Sequence, residues 1–189
     1  MLLSAEVNDS VMDVGETLRI ARQLRRQGNA VQASRVLVNA LRIDPLAAAV
    51  YAELGVTLFS LGLMERAVNA LEEAVRLEPD APNYQLNLSG LYQHSGRYDD
   101  CIAVATRLIE QDPSTGLAYM NLGLSYACKG EWEVSVRYFE SATDYLPNHC
   151  GAWLNLGLGY EERCDDEKAK VCFENALASE PENSQAWIC

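Results

Sequence analysis

No apolar run of about 18 residues is present, the length that a membrane-spanning helix needs; the most apolar stretch, Pro45 to Met64, is broken by Glu53. A membrane span is therefore not expected. The opening MLLSAEVNDSVMD has no basic start and too short an apolar run for a secretory signal, and the location that follows is cytoplasmic. The six cysteines (Cys101, Cys128, Cys150, Cys164, Cys172, Cys189) form no C-x-x-C pair, and only His94 and His149 could join them as nitrogen ligands. Neither a metal site, a disulfide nor a cofactor is predicted. Positive charge is scarce: 15 Lys and Arg against 27 Asp and Glu leave a net charge of −12, which disfavours nucleic acid as a partner, because phosphate contacts need a positive surface. The chain also has no G-x-S-x-G elbow, P-loop or H-E-x-x-H, and Gly157-Leu-Gly159 is only a fragment of a glycine motif inside an expected helix. No catalytic activity is expected.

Proline is equally sparse, but its placing is informative. Five of the six prolines, Pro45, Pro79, Pro113, Pro147 and Pro181, stand 34 residues apart. Ala118 to Tyr126, AYMNLGLSY, returns at Ala152 to Tyr160 as AWLNLGLGY, again after 34 residues. A fixed period of this length marks stacked units. With 49 % hydrophobic residues in a chain of 189, there is material for a continuous core.

Units opening at Val14, Ala48, Pro82, Gly116 and Cys150 can be read in columns. The seventh residues are Ile20, Leu54, Leu88, Leu122 and Leu156, and each is followed by a small one: Ala21, Gly55, Ser89, Gly123 or Gly157. Leu24, Leu58, Tyr92, Tyr126 and Tyr160 lie four beyond the seventh, so each unit is expected to open with an amphipathic helix. Gly28, Gly62, Gly96 and Gly130 close that helix, where a left-handed residue suits glycine; the fifth unit has Cys164, so its turn is either strained or wound differently. A second helix carries Ala33, Ala67, Cys101, Ser135 and Ala169, with Leu37, Leu71, Phe139 and Phe173 four further on. Cys101 reads as a small apolar filler. In the third unit Ala105 takes the large place and Leu108 the small one, an exchange that roughly conserves volume.

These columns resemble the tetratricopeptide repeat, whose aromatic, Leu-Gly, Tyr, Ala, Phe, Ala and Pro signature is best matched by Trp153, Leu156, Gly157, Tyr160, Ala169, Phe173, Ala176 and Pro181. Thr17 and Gln85 stand where Tyr51, Tyr119 and Trp153 supply the aromatic. The resemblance implies an all-α, right-handed superhelical solenoid of antiparallel helix pairs, with first helices lining a concave groove. The expected organisation is a leader at 1–13, repeats at 14–47, 48–81, 82–115, 116–149 and 150–183, and the start of an incomplete sixth unit at 184–189, where Trp187 falls in the aromatic column. Either the chain is part of a longer protein or a partner covers that end.

The function expected is protein–protein interaction through a peptide-binding groove. Asn87, Asn121 and Asn155 form a column that resembles the asparagine ladder of O-linked N-acetylglucosamine transferase arrays, in which amides hold the backbone of an extended peptide. An amide both donates and accepts, so it tolerates any peptide sequence. Beside it run Val56, Phe59, Leu86, Met120, Leu124, Leu154 and Leu158, with packing between first helices as the alternative explanation. Three amide contacts at about 0.5–1.5 kcal/mol fall short of the about 8 kcal/mol of micromolar binding, so the ligand should carry apolar anchors. Arg19, Arg22 and Arg26 at one end and Glu161 and Glu162 at the other give the groove a polarity, with the acidic part of a ligand toward the first unit. A clamp for the acidic tails of heat-shock chaperones is not expected, because its lysine places hold Leu18, Ala52, Leu86, Met120 and Leu154, or Gly15, Ala49, Asn83, Leu117 and Gly151. The alternatives are a scaffold that self-associates through its C-terminal end and a secretion chaperone of the tetratricopeptide type.

Overall fold

The computed structural model describes residues 13–179. Pro181, Trp187 and Cys189 lie outside the described residues. All regular structure among those described is helical: α1 Val14–Arg26, α2 Ala30–Ile43, α3 Ala48–Ser60, α4 Met64–Leu77, α5 Pro82–His94, α6 Tyr98–Gln111, α7 Gly116–Cys128, α8 Trp132–Tyr145, α9 Cys150–Glu162 and α10 Asp166–Ser179. Each pair joins a 13-residue helix to a 14-residue one. None is long and apolar enough to cross a membrane. The fold is an all-α helical repeat.

Two compact units divide the chain, residues 1–79 and 80–189. Within the first, α1 packs on α2 and α3, and α3 on α2 and α4. Within the second, α7 is held by α5, α6, α8 and α9. A helix touched from so many directions cannot keep a wide polar face, and α3, α5, α7 and α9 are far less amphipathic than α1. The amphipathic first helix expected of every unit is thus seen clearly only in α1, which among the described residues has no helix before it.

The small residue after each seventh-place leucine lets the second helix approach. A Cβ at Gly123 would lie 2.5 Å from the Phe139 ring, one at Gly55 2.7 Å from Leu71 Cγ, and one at Gly157 would strike Phe173. In the α5–α6 pair the exchange read from the sequence is fully buried: Ala105 and Leu108 are both 0 % exposed, in a cluster with Ala118 and Leu122. Burial pushes the Cys101 and Cys172 thiols above the ordinary cysteine value, as suits inert fillers.

The turns settle the question of Cys164. After α1, Gly28 N–H donates to Arg25 O and Asn29 N–H to Leu24 O, at 3.0 and 2.8 Å, with Gly28 at φ +80°. After α9, Cys164 N–H donates to Glu161 O and Asp165 N–H to Tyr160 O, at 2.8 and 2.9 Å, with Cys164 at φ +58°. The turn keeps the same hydrogen bonds and the cysteine bears the left-handed strain.

Candidate interaction surface

The sixth residue of each first helix comes first, because the structure gives that column a job the sequence did not reveal. In α3 the place is held by Glu53, only 7 % exposed. Its carboxylate accepts from Arg22 Nε at 2.7 Å and from Arg25 Nη2 at 2.9 Å, both on α1. In α7 the place is held by Asn121, whose Nδ2 donates to Ser89 Oγ on α5 at 2.9 Å; Ser89 in turn donates to Leu86 O at 2.9 Å. Each link ties a first helix to the one before it in its own unit.

In α9 the place is held by Asn155, and here the link is missing. The α7 residue that corresponds to Ser89 is Gly123, which has no hydroxyl. Asn155 is half-buried and makes no side-chain hydrogen bond among the described residues. Asn87 is exposed on α5. Of the three amides expected to meet a peptide, Asn121 gives one N–H to Ser89, while Asn87 and Asn155 make no side-chain hydrogen bond among the described residues. Glu53 and Ser89 were missed by sequence reasoning, although Arg22 and Arg25 are spaced i, i+3 on one face of α1, a sign of a shared acidic partner.

The apolar residues divide in the same way. Leu86 packs against the Ala105, Leu108, Ala118 and Leu122 cluster, and Leu124 against the cluster of Val136, Phe139, Leu156 and Tyr160. Met120 is half-buried, its methyl 3.9 Å from where a Cβ on Gly151 of α9 would sit. These three are seams between neighbouring helices before they are a surface. Leu154 and Leu158, one turn apart on α9 on either side of Asn155, are 42 % and 45 % exposed. In the first unit Val56 is half-buried and Phe59 is 39 % exposed on α3.

The charges are less free than their sequence positions imply. Arg19 donates to Glu16 on its own helix at 2.6 and 2.8 Å and holds that carboxyl below its ordinary value, and Arg22 is taken by Glu53. Arg26 makes no ion pair among the described residues. Glu161 and Glu162 are exposed in the last turn of α9 and likewise carry none.

Models of the tetratricopeptide repeat match residues 24–85, 58–122 and 118–150. The chain belongs to the tetratricopeptide repeat family. Repeats of this family are protein–protein interaction modules, and the chain is one by membership. Among solved tetratricopeptide-repeat structures, a crystal structure of MamA is similar at 25 % identity, over 92 % of this chain and 98 % of that one, with a TM-score of 0.76. MamA from Desulfovibrio magneticus RS-1, residue 41 to the end, is similar at 20 % identity over 92 % and 96 %, with a TM-score of 0.78. YrrB, described as a TPR protein with an unusual peptide-binding site, is similar at 21 % identity over 92 % and 90 %, with a TM-score of 0.69. The search of curated proteins gives no match.

Proposed function

We propose that the unit containing α5 to α10 docks a segment of a protein partner along its first helices, with α9 supplying the anchor site. The observation that carries this reading is the triplet Leu154, Asn155 and Leu158: two exposed leucines one helical turn apart, with an idle amide between them. The leucines offer apolar area at roughly 25 cal/mol per Å² buried, while the amide can pair with a peptide group whatever the partner's side chain. Asn87 adds a second free amide, and Met120 and Leu124 form the half-buried floor between α7 and α9. The likeness to YrrB, itself a peptide-binding protein, supports the reading. Val56 and Phe59 give the first unit an apolar patch of its own, with Arg26 the basic charge left open on α1.

Peptides selected from a displayed random library against the full chain test this. Selected sequences should carry paired apolar residues. Leu154→Glu or Leu158→Glu should each weaken their binding by about tenfold or more, Asn155→Ala by about threefold, and Asn121→Ala by less. Binding indifferent to both leucine substitutions sinks the proposal. A second copy of the chain is the competing occupant, favoured by the further exposure of Val171 at 55 % and Leu177 at 63 % on α10. Concentration-dependent sedimentation that Leu177→Asp abolishes would assign the exposed face of α10 to self-association instead.

A further inference from the structure

We infer that Gly90 of α5 is an opening in the docking surface through which the main chain of the bound segment reaches the side-chain amides of Asn87 and Asn121. The inference rests on the docking reading given above and adds to it a second point of contact, on α5.

Gly90 differs from every other glycine of the chain. Gly28, Gly62, Gly96 and Gly130 have positive φ. At Gly55, Gly116, Gly123, Gly157 and Gly159 a Cβ would lie 2.8 Å or closer to a neighbouring side chain, and at Gly15 and Gly151 it would meet Asp13 Oδ2 at 3.0 Å and His149 Cε1 at 3.1 Å. Gly90 stands inside the 13-residue α5, and a Cβ there would meet only Asn121 Nδ2, at 3.8 Å, an ordinary contact. A glycine inside a helix costs stability relative to alanine. Neither the backbone nor the packing of α5 asks for one here, which leaves the open space itself as what the residue provides.

The column shows what that space adjoins. The same place holds Leu124 in α7 and Leu158 in α9, so α5 lacks a leucine that the next two first helices have. Asn87, three residues earlier on the same face of α5, is exposed, and Gly90 is itself partly exposed, so both are reached from solvent. Asn121 borders the gap from α7; its Nδ2 donates to Ser89, and its Oδ1 accepts no hydrogen bond among the described residues. Two amides at one gap present donors and acceptors together. An apolar side chain lodged there would cover them without pairing them. A peptide group carries the N–H and the C=O that match, and glycine is the residue that lets another backbone come close. First helices about 10 Å apart put α5 about 20 Å from α9, which an extended chain spans in about six residues.

Peptides selected from a displayed library against the full chain are scanned twice, once with alanine and once with N-methyl residues, and their affinities are measured for parent and variants. Gly90→Leu should weaken binding by about tenfold, yet raise the melting temperature by about 2–4 °C, as Gly90→Ala also should, because the helix gains and the fold loses nothing. N-methylation should cost about 2- to 10-fold at a residue about six from the apolar pair, where alanine costs little. In Gly90→Leu that penalty should vanish, since the main chain no longer descends. Leu154→Glu keeps the two readings apart. If it weakens binding and Gly90→Leu does not, the opening on α5 is overturned and the α9 surface stands; in the reverse case the α9 anchor falls and the opening stands. A library that yields no binder removes both. The inference is also overturned if both Gly90 variants lower the melting temperature, which would make the glycine a requirement of the fold, or if alanine at the sensitive residue costs as much as N-methylation, which would make the guest a side chain.

Discussion

Between α1 and α3 the sixth-place residue is a carboxylate gripping two guanidinium groups; between α5 and α7 it is an amide resting on a hydroxyl; between α7 and α9 it is an amide with nothing to hold. The column is one, and its chemistry differs at each step because its partner lies on the preceding helix. Ser89 can exist only where the second helix leaves room. In α8 that helix presses Phe139 onto Gly123, where even a Cβ would come within 2.5 Å of the ring. In α6 the corresponding residue is Ala105, and the clearance admits a side chain at Ser89. The large-for-small exchange in α6, the serine in α5 and the committed amide in α7 are one coupled arrangement. Where the exchange is absent, as in α8, glycine follows and the half-buried amide of α9 has no such partner.

That coupling can be broken most severely at its origin. Ala105→Phe restores the usual large residue over Ser89 and should cost about 2–3 kcal/mol in urea denaturation, the usual penalty of an overfilled core. The triple change Ser89→Gly, Ala105→Phe and Leu108→Ala makes the pair resemble α7–α8 and should recover most of the loss. An Ala105→Phe chain as stable as the parent would separate the exchange from the serine. Next in size is the ionic link: Glu53→Ala strands two guanidinium groups, of which Arg25 is only 33 % exposed, and should cost about 2 kcal/mol, with the solvent-facing Arg22 keeping the figure below that of a fully buried pair. Circular-dichroism melts check it.

The fifth turn offers a smaller test, in the stabilising direction. Cys164 at φ +58° carries the strain that glycine avoids in the other four turns, and it is exposed, so Cys164→Gly forfeits little packing. The strain relieved is about 1–2 kcal/mol, and the added freedom of the unfolded chain takes back about 0.4–1. A net gain of about 0.5–1 kcal/mol is expected in chemical denaturation. A loss would mean that the cysteine side chain itself supports the turn.

What could be read from the sequence follows the range of the interaction that decides it. Helix, turn and repeat period rest on spacings within one pair, such as Leu122–Gly123 with Tyr126, and all of these are visible in the chain. Whether an asparagine is free rests on a residue about 32 earlier, and whether that residue can be a serine rests on another 16 later on a third helix. Asn87, Asn121 and Asn155 therefore looked equivalent although one N–H of Asn121 is already given to Ser89. Glu53 looked like an interruption in an apolar run, because the arginines that make its burial tolerable lie on another helix. Leu86 and Leu124 looked like the wall of a groove, since half-exposed seam leucines and fully presented ones share the same places in the column. The identity of Cys164 likewise did not say whether φ would turn positive; only the carried-over hydrogen bonds of the turn did.

The smallest expected effect bears most directly on function. Asn121→Ala removes a working hydrogen bond and leaves the buried Ser89 hydroxyl without a donor, so it should cost about 1 kcal/mol. Asn155→Ala removes an amide with no intramolecular partner and should change stability by less than about 0.5 kcal/mol, while in the peptide-binding assay the order reverses and Asn155 becomes the more sensitive of the two. The opposed rankings separate a side chain kept for folding from one kept for a partner. If Asn155→Ala destabilised the chain as much as Asn121→Ala, the two amides would be doing the same structural work, and the α9 surface would lose the polar contact that distinguishes it from an ordinary apolar seam.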